Sequence, residues 1–107
     1  KKEIMINVMI YLKKEENAKK IVEYLLQKKL ISTASIDIDN ISYKIVNNKV
    51  VEENFSVITA VSKALLFNTI VNAVENLIGE ETQINSIPIV GSNGSFYNTV
   101  KSKTIAI

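Results

Sequence analysis

The sequence predicts an α+β domain of the ferredoxin-like kind, a strand–helix–strand unit repeated twice, and three observations carry that expectation. Apolar spacing alternates between the strand period and the helix period in the order β-α-β-β-α-β. Two β-capable runs within "SYKIVNNKVVEENF", residues 42–55, meet at Asn47-Asn48, a pair that tolerates the positive φ of a tight hairpin turn. The first strand segment is apolar on both sides, which suits the middle of a sheet. Such a fold has one antiparallel four-stranded sheet with both helices on one face. With 107 residues, the chain is read as a single domain, 1–107.

Each element follows from its spacing. Residues 3–12 read as the first strand: at about ten residues the run is too short to span a bilayer, which needs about 20, and a charged helix follows directly. In "KKEENAKKIVEYLLQKK", Ala18, Ile21, Val22, Leu25 and Leu26 form one apolar stripe opposite lysines and glutamates. The second strand, about 31–46, puts Ala34, Ile36 and Ile38 on one face. Ile41, Tyr43 and Ile45 then hold the apolar parity, so the phase slips by one residue and a β-bulge is expected near Asp39-Asn40. The third strand, about 50–61, alternates Phe55, Val57 and Val61 with Ile58 and Ala60. A second helix over 62–78 carries Phe67, Ile70, Val71, Val74, Leu77 and Ile78 on its stripe, and Gly79 ends it. "TQINSIPIV" is the fourth strand, "GSNGS" a loop, "FYNTVKS" a short C-terminal helix and "KTIAI" a closing strand.

Composition narrows the chemistry. Apolar residues make up 47% and charged residues 22%, a globular balance, and the net charge is only +2. The 13 basic residues are all lysines, interspersed with 11 carboxylates, so there is no one-signed patch for nucleic acid. Histidine, cysteine, tryptophan and arginine are all absent. Imidazole acid–base chemistry, thiol nucleophiles and soft metal ligands are therefore unavailable, as is the bidentate guanidinium fork. These absences predict a non-enzyme without a cofactor. With no membrane segment and no cysteine to signal export, a cytoplasmic protein is expected.

In the expected fold, the sheet face away from the helices would lie open to water. The first strand puts Met5, Met9 and Tyr11 on that face and Ile4, Ile6, Val8 and Ile10 on the other. An apolar surface of that size predicts association with further copies of the chain.

Over nearly its whole length the sequence resembles the CutA family of divalent-cation tolerance proteins, within the PII-like superfamily. "AKKIVEYLLQKKLISTASIDI" is similar to that family's first helix and following strand. "SYKIVNNKVVEENFSVITAVSKALLFNTIVNAV" resembles its long hairpin and second helix, and "INSIPIVGSNGSFYNTVKSKT" its closing strand, asparagine turn and terminal helix. The resemblance implies a cytoplasmic, non-catalytic homotrimer that responds to divalent ions, with the long hairpin of one subunit packed along its neighbour. It also implies a cleft between subunits where a small molecule or divalent ion could bind.

The departures from the family bear on that cleft. Thr33 and Ser35 stand where the family commonly has cysteine and, two residues on, asparagine. "LIGEETQ" replaces a His-Pro-Tyr stretch, the tryptophan near the hairpin tip is Ile45 or Val46, and the turn glycine is asparagine. The thiol and imidazole groups proposed for copper are thus missing, and copper binding does not carry over. The remaining ligand candidates are Thr33, Ser35, Tyr43, Lys49, Glu52 and Tyr97, with Lys49 matching a family lysine and able to pair with Glu52. Each also has a plainer role: strand hydroxyls bonded across the sheet, solvated charges, or tyrosines at the core edge. Asp37, Asp39, Glu52 and Glu53 offer oxygen ligands for Ca²⁺ or Mg²⁺, or simply a solvated face. "GSNGS" lacks the spacing and lysine of a phosphate loop.

An alternative reading is a PII-like or ACT-like regulatory module that binds a nucleotide or an amino acid. Three other uses of this fold lack their chemistry here. Acylphosphatases need an arginine, metallochaperones a Cys-x-x-Cys loop, and RNA-recognition modules exposed aromatics on the central strands.

Overall fold

A computed structural model describes residues 3–107. In chain order the elements are β1 (Met5–Leu12), α1 (Glu15–Gln27), β2 (Thr33–Val46), β3 (Lys49–Lys63), a 3₁₀ turn (Ala64–Leu66), α2 (Phe67–Ile78), β4 (Gln83–Pro88) and α3 (Gly94–Lys103). The four strands form one antiparallel sheet in the order β2-β3-β1-β4. This is the expected ferredoxin-like arrangement with a long β2–β3 hairpin and a short C-terminal helix.

Even-numbered residues of β1 and β3 face α1 and α2. Ile6, Val8, Ile10 and Leu12 pack there with Ile58 and Ala60, against Ala18, Ile21 and Leu25 of α1 and Ile70 and Val74 of α2. Burying side chains of this size stabilises by about 1.5–3 kcal/mol each, so this layer dominates folding. Both helices end by left-handed residues. At α1, Lys29 has φ 57°, its N–H donates to the Leu26 carbonyl and that of Leu30 to the Leu25 carbonyl. The pair of bonds is a Schellman motif, and its apolar partners Leu25 and Leu30 are both buried. Gly79 closes α2 with φ 80° and an N–H bond to the Glu75 carbonyl.

The bulge expected near Asp39-Asn40 lies between the rungs Asp37↔Val57 and Asn40↔Phe55. It leaves Ile38 on the bulge, nearly half exposed, rather than in line with Ala34 and Ile36. Beyond it, Ile41 pairs with Asn54 and Tyr43 with Glu52, so odd residues of β2 take over the face that even ones held. Asn47 and Asn48 have φ 53° and 64°, the two positive angles of a type I′ turn.

Several expectations need correction. Residues 62 and 63 still belong to β3, and a 3₁₀ turn precedes α2, so that helix begins at Phe67. The last residues of "GSNGS" open α3, where the Asn93 side chain accepts the N–H of Phe96 at 2.8 Å. "KTIAI" forms no closing strand. Lys103 ends α3, and the tail is held at single points: Ile105 N–H donates to the Lys29 carbonyl and its own carbonyl accepts from Lys63 Nζ at 2.8 Å. The far sheet face is also less open than β1 alone implied. Because α3 and the tail lie over one end of it, Met5, Lys63 and Val100 are buried by their own chain.

Candidate functional site

The sheet is uneven in length, and that creates the site. The last rungs of β1 are Leu12↔Ser56 on the β3 side and Tyr11↔Gln83 on the β4 side. β3 continues from Phe55 to Lys49, paired only with β2, so the hairpin leaves the body as a two-stranded arm. The molecule measures 48 × 27 × 21 Å, with a radius of gyration of 14.8 Å. A compact chain of this length would give about 13 Å.

Along the arm, one face carries Ile41, Tyr43, Ile45 and Val50, which are 52, 66, 71 and 72% exposed. The other face carries the Lys44–Glu53 ion pair at 2.9 Å. β-branched and aromatic residues in this alternation make good strand formers, and none of the described residues of the body lies over them.

Where β1 stops, the arm and the α2–β4 turn stand on either side of a cleft of about 790 Å³. Its floor is Tyr11, Leu12, Lys13 and Lys14. The arm side contributes Tyr43, Lys44, Glu53 and Phe55, and the opposite side Glu80, Glu81 and Gln83. Tyr11 and Phe55 meet edge to face there, with ring centroids 5.8 Å apart at 89°. A smaller hollow of about 410 Å³ lies between the start of α3 and the far sheet face, lined by Asn7, Val61 and Phe96 among others.

The six candidate residues are spread over the chain. Thr33 and Ser35 are exposed at the body end of β2, opposite Val61 and Thr59. Tyr43 lies eight residues further along, roughly 26 Å at strand rise; it lines the cleft and pairs with Glu52 across the arm. Lys49 stands at the turn, exposed, with Val46 as its rung partner. Tyr97 sits on α3, where its hydroxyl accepts the Glu3 N–H at 3.1 Å. Apart from the Tyr43–Glu52 rung, these residues do not converge within one chain. The carboxylates diverge too, since Glu52 and Glu53 point to opposite faces of the arm and Asp39 lies on the bulge. Among the described residues, no three acidic side chains are grouped as a metal site. Lys13, Lys14, Glu80 and Glu81 do not stand out in the sequence. They are ordinary surface residue types, and only the ending of β1 brings them to one place.

By sequence, no family model and no curated protein matches the chain. By structure, it superposes on CutA1 of Ehrlichia chaffeensis, a divalent ion tolerance protein, with a TM-score of 0.86, 19% identity, and 97% of this chain and 98% of that one covered. The chain has the CutA1 fold. CutA1 from Oryza sativa gives a TM-score of 0.88 at 17% identity over 97% of this chain and 96% of its own. The divalent cation tolerance protein of Thermus thermophilus gives 0.85 at 21% over 94% and 98%. The arm therefore belongs to the fold itself, since the match runs over nearly the whole of both chains. Among the described residues, no helix is long and apolar enough to cross a membrane.

Proposed function

We propose that this protein is a divergent CutA-like divalent-ion tolerance or response protein, a non-catalytic homotrimer in which each arm clasps a neighbour. The observation that carries this reading is the arm: a strip of Ile41, Tyr43, Ile45 and Val50 exposed on an extended ladder that no described residue of its own chain covers. A long two-stranded ribbon with an apolar face is marginal alone in water. Packing along another copy stabilises it and covers its edges. The similar solved structures bear the description divalent ion or cation tolerance protein, which supports the assigned process. In this reading Thr33, Ser35, Tyr43, Lys49, Glu52 and Tyr97 are brought together across subunits, around a small ligand or ion. Copper is not assigned, because Thr33 and Ser35 offer it neither thiol nor imidazole. Cytoplasmic residence is part of the proposal; a similar structure from Archaeoglobus fulgidus is described as periplasmic, so the fold does not select a compartment.

Light scattering coupled to size exclusion tests the assembly. A trimer at micromolar concentration is expected, and the variant Ile45→Asp with Val50→Asp should dissociate it. A wild-type chain that runs as a folded monomer overturns the proposal.

The cleft at the base of the arm favours a second reading, the PII-like or ACT-like module that binds a nucleotide or an amino acid. Ligand-dependent ordering of residues 46–53 supports it, and an arm equally rigid with and without ligand counts against it.

A further inference from the structure

We propose that the cleft beside the end of β1 binds a small zwitterion with an apolar body, a free α-amino acid of the phenylalanine or leucine kind. The inference rests on reading the chain as a non-catalytic binding module and adds the place and the ligand class.

The charge pattern selects the class. Lys44 is already committed to Glu53, 2.9 Å away. That leaves Lys13 and Lys14 lining the floor and Glu80 and Glu81 lining one wall. A polyanion such as a nucleotide would meet two carboxylates and no arginine, and like charges brought together are unfavourable. A bare divalent cation would meet two ammonium groups. One ligand carboxylate toward the lysines and one ligand ammonium toward the glutamates satisfies both sides. The third contact is apolar: Tyr11 and Phe55 present an aromatic edge and face within the same cleft, matching a side chain rather than a sugar or phosphate. At about 790 Å³ the cleft falls within the usual range for small-molecule sites, ~300–1,000 Å³. Its position also couples it to the arm, because Glu53 and Phe55 belong to the strand that leads to the tip.

The test is a ¹H–¹⁵N titration of the full chain with L-phenylalanine and L-leucine, compared with phenylacetate, phenethylamine and ATP. Saturable shifts confined to residues 11–17, 42–44, 53–55 and 78–83 are expected, with both single-charge analogues at least about tenfold weaker than phenylalanine. Lys13→Gln with Lys14→Gln should weaken phenylalanine by about tenfold and leave phenethylamine unchanged. Glu80→Gln with Glu81→Gln should weaken phenylalanine likewise and leave phenylacetate unchanged. All four side chains are exposed, so both variants keep the fold, which circular dichroism verifies. The proposal is overturned by the absence of saturable shifts in the cleft, by tighter binding of ATP than of phenylalanine, or by binding that ignores the charge substitutions. Cleft resonances that respond to protein dilution instead of ligand overturn it as well, since a second copy then fills the space. A chain that sizes as a trimer yet binds no amino acid leaves the assembly standing and sinks only the ligand.

Discussion

The body and the arm are built from the same strands but obey different rules. In the body, Ile58 on β3 is fully buried between sheet and helices. A few rungs along the ladder, Ile45 on β2 and its partner Val50 stand in solvent. Residue type and spacing are alike in both places. What differs is whether a helix lies over the strand, and that is decided by the ends of β1 and of the helices. An apolar alternation thus marks a surface to be covered without saying by which chain.

The largest effect comes from breaking the body. Ile58→Ala should cost about 2–5 kcal/mol in urea unfolding, because it leaves a cavity in a close-packed layer. The same truncation at Ile45, measured where the chain is dilute enough to be monomeric, should stay within about 0.5 kcal/mol. Comparable losses at the two sites under dilute conditions would mean that the arm is packed within its own chain.

Lys63 sharpens the contrast next. It is 3% exposed, bonded to the Ile105 carbonyl at 2.8 Å, with a Glu3 carboxylate oxygen at 3.8 Å. Lys63→Met should destabilise by about 1–3 kcal/mol and speed hydrogen exchange at the Ile105 amide, since it orphans a carbonyl accepting from a charged donor. Unchanged exchange there would show that Lys29 alone holds the tail.

Smaller effects separate the left-handed positions. Gly79→Ala puts a Cβ at φ 80° and should cost about 1–2 kcal/mol, read from the thermal midpoint. Lys29→Gly works in the opposite direction. It relieves the strain of φ 57° while keeping both cap bonds and the bond to Ile105, which use only backbone, and should add up to about 1 kcal/mol. A loss instead would mean that the Lys29 side chain packs usefully. Least of all, Asn48→Gly in the arm turn should change stability by no more than about 0.5 kcal/mol, because asparagine already tolerates this region.

Much of the fold was legible in the sequence for local reasons. The slip between Ile38 and Ile41 announced the bulge, because a strand with period two cannot change parity otherwise. Asn47-Asn48 marked the turn and Gly79 the helix end, since few residues accept positive φ. The tail misleads because "KTIAI" alternates like a strand. Whether an alternating segment joins a sheet depends on an available edge, and Lys63 and Lys29 instead hold the tail at points.

The candidate site was less legible, and the reason is geometric. Thr33, Ser35 and Tyr43 lie on one strand, but a strand extends about 3.3 Å per residue and carries its side chains apart. The cleft instead collects Lys13 and Glu80 from two separate connections and Glu53 from β3. By itself, the sequence determined the periodicities, the turns and the chemistry that is missing, because those are properties of neighbours along the chain. Only the tertiary structure decided where β1 ends relative to β3, and hence that an arm and a charged cleft exist, because strand length against a partner is a property of the sheet.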